Sequence, residues 1–182
     1  MTEWWTYGLS DFLMFSPRTY GRLLEAYNAA YWPAQVIVLA VVLAALWKAR
    51  RATGVFFAVA WVHVGFAFFW SRYSEIFTAA QYLALACVVQ AVAMLGAGGP
   101  RPRGAWLVAA VCVVYPVASA VALGRPLMQA EFVGFMPDPT ALATIVYALA
   151  LQRPAWLRAA LCVIPVVLLV FGWGTLVNLH GV

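Results

Sequence analysis

Charged side chains are scarce in this chain: only 9% of its 182 residues are Asp, Glu, Lys or Arg. A soluble domain carries roughly 25%, so an ordinary water-exposed globular surface is excluded. Acids are scarcer than bases, six against eleven, and the net charge is +5. That excess is no sign of nucleic-acid binding, because the bases fall in short segments between apolar runs, which is how a membrane protein is oriented. Cysteine is thin too. Cys87, Cys112 and Cys162 sit singly inside apolar stretches with no CxxC, which reads as small core residues rather than disulfides or a thiolate metal site. The opening Met1-Thr2-Glu3-Trp4-Trp5 lacks the basic and apolar regions of a cleavable signal, so the first span is expected to act as its own insertion signal. A Ser/His/Asp set, a phosphate loop and HExxH are all missing; the glycine- and proline-rich Gly96–Arg103 is a turn, not a nucleotide cradle. Without a reaction motif, an enzyme is not the expectation.

What the chain has in abundance is apolar residues, 66% of the total. A membrane-spanning helix needs about 20 of them in succession. The runs Ala29–Trp47, Ala52–Trp70, Ile76–Ala97, Gly104–Leu123, Pro139–Leu151 and Ala155–Leu179 predict an all-α integral membrane protein of six transmembrane helices, residues 29–182, preceded by an outer segment, residues 1–28. The fifth run is too short. Its length gives a rise of about 20 Å against a hydrocarbon core of about 30 Å.

The charges sort between the connections. Lys48, Arg50 and Arg51, then Arg101 and Arg103, then Arg153 and Arg158 occupy the turns after spans one, three and five, and no acid accompanies them. Glu3, Asp11, Glu25, Glu75, Glu131 and Asp138 all fall on the alternate side, with Arg18, Arg22, Arg72 and Arg125. By the positive-inside rule the basic turns face the cytoplasm and both termini face out.

Ser16-Pro17 reads as a helix N-cap followed by proline at the first position. From there Tyr20, Leu23, Leu24 and Tyr27 recur at helical spacing, and Trp4, Trp5, Tyr7 and Phe12 are aromatics of the kind that anchor at headgroup depth. An amphipathic segment along the outer surface is the expectation. Trp106–Val114 resembles Trp156–Ile164 fifty residues on, which suggests three parallel hairpins turning at the basic loops. In Arg125–Pro139, apolar residues are punctuated by Pro126, Gly134, Pro137 and Pro139. Irregular backbone at membrane depth must pack on protein or line a wet cavity. The segment is therefore expected to dip into the bundle and complete the short fifth span, with Asp138 as N-cap of a helix starting at Pro139.

His63, inside span two, is the one histidine at membrane depth; it suits a proton relay, a metal or haem iron, or a plain interhelical hydrogen bond. His180 follows span six, but two histidines without a spaced third ligand do not make a metal site. Arg72 and Glu75 stand three apart in the outer link between spans two and three and suit an ion pair over one helical turn. Gln81, Gln90, Tyr115, Ser119, Thr144 and Tyr147 suit hydrogen bonds between helices. Pro116 and Pro165, mid-span, suit kinks.

The stretch Glu3-Trp4-Trp5-Thr6-Tyr7 through Leu9-Ser10-Asp11-Phe12 to Phe15-Ser16-Pro17-Arg18-Thr19-Tyr20 resembles an uncharacterised bacterial multi-pass membrane-protein family, domain of unknown function 6064. Length and span count agree with the resemblance over nearly the whole chain. It implies a membrane fold and steers away from familiar small transporters and tryptophan-rich porphyrin-binding proteins, without bringing an activity or a ligand.

Three functional classes follow. The first is a small permease or solute-binding protein whose polar site opens outward, lined by His63, Arg72, Glu75, Glu131 and Asp138, with Arg18 and Asp11 from the amino-terminal cap. The second is a redox subunit holding haem or a metal at His63, with His180 available as a further haem ligand. The third is an accessory subunit of a homo-oligomer or larger membrane complex. In each, the bilayer is the main partner.

Overall fold

A computed structural model describes residues 16–48, 51–97 and 104–180. Among them all regular structure is helical: α1 (Pro17–Tyr31), α2 (Ala34–Lys48), α3 (Ala52–His63), α4 (Ala80–Gly96), α5 (Ala105–Ala122), α6 (Pro137–Ala150) and α7 (Ala155–His180), with short 3-10 turns at Tyr73–Glu75 and Leu127–Gln129. Three helical stretches, Ala52–Glu75, Ala105–Ala122 and Ala155–Leu176, are long and apolar enough to cross a membrane, and a fourth counts if α1 and α2, bent by 75°, form one broken span. The apolar α4 is a little shorter. Composition and these helices indicate membrane association.

The amino-terminal expectation is met at its cap. Ser16 Oγ accepts a hydrogen bond from the Thr19 amide at 3.2 Å and Pro17 occupies the first turn. α1 buries Gly21, Leu24, Tyr27 and Asn28, a stripe at 3.6-residue spacing. It packs on the Leu127–Gln129 turn. The aromatic anchors Trp4, Trp5, Tyr7 and Phe12, and the candidate site residue Asp11, lie outside the described residues. The helical break falls at Trp32-Pro33, since a residue before proline is disfavoured in helical geometry. The helix expected from Ala29 therefore starts at Ala34.

α3 continues as a π-helical segment over Val64–Trp70. The wider turn is closed by Ser71, whose amide and Oγ both donate to the Phe66 carbonyl, at 3.0 and 2.9 Å. At Gly65 the α4 backbone comes close: a Cβ at this position would sit 3.1 Å from the Ala84 carbonyl oxygen and 2.9 Å from Cys87 Cβ. The helix expected from Ile76 does not begin there. Turns occupy the residues after Glu75, and α4 starts at Ala80.

The expectation of three hairpins is not met as a set. α6 packs extensively on α7, but α4 packs on α3 and α7 rather than on α5, and α5 packs on α6 and α2. Short basic turns connect consecutive helices without forcing them to be neighbours, and alanine- and valine-rich helices resemble one another whatever they pack against. Pro116 and Pro165 lie inside α5 and α7.

The segment after α5 packs into the protein. Every residue from Ala130 to Ala141 is buried except half-buried Phe132. Asn28 pins it: Nδ2 donates to the carbonyls of Met128 and Ala130 at 2.8 and 2.9 Å, and Gln35 Nε2 donates to Asn28 Oδ1 at 2.6 Å. Gln129 Nε2 donates to Glu25 Oε1 at 2.8 Å. Gly134 takes a left-handed φ of +86°, which a side chain rarely tolerates. Its amide donates to Thr140 Oγ1 at 2.8 Å. The buried backbone is thus satisfied by side chains, as its depth requires.

α6 starts two residues before the expected Pro139. Met136 is the cap residue and makes no side-chain cap bond, Pro137 stands in the first turn, and Asp138 is buried one position further on. Two prolines fit there because the first-turn amides of a helix have no intrahelical acceptor. Asp138 is therefore not an N-cap, although its carboxylate still lies where the helix dipole favours an anion.

Candidate functional site

The segment preceding α6 and the first turn of that helix carry a buried group of charged side chains. Arg125 Nη1 donates to Glu131 Oε1 at 3.0 Å, with both side chains buried. The Arg125 guanidinium also lies over the Tyr20 ring, 5.6 Å from its centroid. Asp138 is 3% exposed and its Oδ1 has no hydrogen-bond partner; neither has Arg125 Nη2. The fields of Tyr20 from α1, Tyr73 from the 3-10 turn, and Arg125 and Glu131 from the loop converge on Asp138, and Tyr115 of α5 feels the same groups. One cation faces two carboxylates. Full ionisation leaves one buried negative charge uncompensated, an expensive state in a low dielectric.

Asp138 is held in position by α7. A Cβ on Gly172 would overlap Asp138 Oδ1 and lie 2.7 Å from its Cγ. Beside Asp138 is a cavity of 20 Å³, bordered also by Tyr20, Tyr73, Phe171, Gly172 and Thr175. That is room for about one water, and far too little for an organic solute.

The candidate residues divide. Glu131 and Asp138 come together at this cluster. Arg18, Arg72 and Glu75 are exposed, and the one ion pair among the described residues is Arg125–Glu131, so Arg72 and Glu75 do not pair. His63 stands apart, on α3. Its Nε2 lies 3.3 Å from the Tyr27 hydroxyl, which donates its proton to the Phe135 carbonyl at 3.1 Å. With that hydroxyl proton committed, His63 Nε2 is the donor to Tyr27, which sets the neutral tautomer with hydrogen on Nε2. The rings of Tyr31 and Phe135 stand edge-to-face against the imidazole, 5.0 and 5.1 Å between centroids. With Nε2 engaged by Tyr27, the remaining lone pair of the imidazole is on Nδ1. No group of three His, Cys, Asp or Glu side chains among the described residues converges on one point.

The hydrogen-bonding expectations elsewhere are met in part. Gln90 Nε2 donates to the Leu161 carbonyl at 3.0 Å, linking α4 to α7, and Trp61 Nε1 donates to Thr144 Oγ1 at 3.0 Å, linking α3 to α6. Ser119 instead bonds within its own helix, to the Pro116 carbonyl. Sequence reasoning missed Arg125 as a site residue, and with it Tyr20, Tyr73 and Gly172. Arg125 and Glu131, six apart across the Leu127–Gln129 turn, carried a faint local signal; the others come from remote segments and carried none. Comparison with protein-family models, with curated proteins and with solved structures gave no match.

Proposed function

We propose that this chain is a small carrier of the bacterial inner membrane for polar or ionic solutes, coupled to a proton that Asp138 gains and loses. In this reading α2 to α7 are the six membrane-embedded helices, α1 lies at the outer face, and the Arg125–Glu131–Asp138 cluster is the working centre. The observation that carries it is the enclosed Asp138 carboxylate, with Oδ1 unpartnered beside a one-water cavity and a single arginine serving two acids. Ionisable groups at membrane depth mark ion pathways and proton relays far more often than they serve packing.

The exposed aromatics support the placement. Trp47, Trp106 and Trp156 are exposed at the helix ends next to the basic turns, while Trp32, Trp70, Tyr82 and Trp173 are exposed toward the opposite ends. Two aromatic belts, one at each interface, are the expected anchors of a spanning bundle. Between them run exposed valine faces, such as Val113, Val117 and Val121 on α5 and Val163, Val166 and Val170 on α7, which suit lipid.

The closed cluster corresponds to an occluded state, in which a proton and one water fit but a solute must wait for the bundle to open. The test is electrical. Purified protein in proteoliposomes on a solid-supported membrane is exposed to a panel of small polar and ionic solutes. At least one solute is expected to give a proton-dependent current that Asp138→Asn abolishes. Currents indistinguishable from empty vesicles across the panel overturn the reading.

A further inference from the structure

The turn between α6 and α7, at the opposite end of the bundle from Asp138, forms a groove of about 490 Å³. Gln152, Arg153 and Arg158 provide its polar lining, and Leu149 and Leu151 its apolar lining. Arg158 is half-buried in the first turn of α7. Its Nη1 donates to the Leu149 carbonyl at 3.2 Å, its buried Nε has no partner, and no carboxylate among the described residues pairs with it. No acid occupies the first turn of this helix. A cation there is opposed by the positive end of the helix dipole, so Arg158 sits in an electrostatically unfavourable place with a donor left over. The amides of Leu157 and Arg158 both turn back to the Pro154 carbonyl. Those of Ala155 and Trp156 precede any intrahelical acceptor and face the same end.

We propose that this groove binds the phosphate of an anionic membrane lipid. A phosphate oxygen at the α7 amino terminus satisfies the dipole, the orphan amides and the Arg158 guanidinium together. The acyl chains have an apolar path beside exposed Leu149, and Trp156, also exposed, stands at headgroup depth. Free inorganic phosphate shares the headgroup chemistry, but it would make no use of the apolar wall.

Full-length protein in nanodiscs of mixed phosphatidylglycerol and phosphatidylcholine, analysed by native mass spectrometry, tests this. Wild-type protein is expected to retain phosphatidylglycerol selectively. Arg158→Gln is expected to lower that preference about fivefold, the usual worth of one basic residue at an anionic surface, and Arg153→Gln to lower it in the same direction. Arg72→Gln, at the other end of the bundle, serves as control and leaves it unchanged. Should Arg158→Gln fold poorly, Gln152→Ala reads the same groove. Equal retention by wild type and the groove variants overturns the proposal. So does tight binding of inorganic phosphate in detergent without lipid preference.

Discussion

Gly172 of α7 and Asp138 of α6 are in such close contact that a single methyl group on the glycine would occupy the space of the Asp138 carboxylate. The carboxylate is held by shape, since its Oδ1 has no hydrogen bond to hold it. Gly172→Ala is expected to destabilise the protein by about 1–3 kcal/mol through overpacking. In an Asp138→Ala background the same change should cost little. Thermal unfolding of the four proteins of this double-mutant cycle is expected to give a coupling energy of about 0.5–3 kcal/mol. Additive effects would mean that the two residues do not share the space.

Arg125 is the cation of the cluster, and its removal leaves two acids buried together. Arg125→Met is expected to cost about 3–5 kcal/mol at neutral pH, the usual penalty for an orphaned buried charge. The loss should shrink on acidification, as the acids become neutral. Denaturation of the variant in detergent at neutral and acid pH measures both values.

The Tyr27–His63 contact predicts a tautomer. Nitrogen NMR of labelled protein should show His63 protonated at Nε2 and bare at Nδ1. Tyr27→Phe removes the acceptor of half-buried His63 and the donor to Phe135 in one step, and leaving the buried Phe135 carbonyl unsatisfied is expected to cost about 1–3 kcal/mol, read by thermal unfolding.

The helical periods and the burial of Ala130–Pro139 were legible from local composition, whereas the exposure of Pro126, Leu127 and Met128 was not. Ser16-Pro17 worked as a start signal because it too is local. Sequence reasoning misplaced the start of α6, where two prolines compete and the first one wins. Charge patterning grouped Arg72, Glu75 and Glu131 on one side of the bundle but could not separate an exposed rim from a buried centre, since both have the same sequence signature. Tyr20, Tyr73 and Gly172 reach Asp138 only through tertiary packing, from segments at least 34 residues away in the chain. Tyr27 and His63 meet across 36 residues in the same way.

Whether Asp138 itself exchanges a proton is the central question, and infrared difference spectroscopy of membrane-reconstituted protein answers it most directly. Titration of the wild type is expected to reveal a buried protonated-carboxyl stretch that appears and vanishes with pH, and that is missing from Asp138→Asn while surviving in Glu131→Gln. Identical carboxyl bands in wild type and Asp138→Asn would contradict the account.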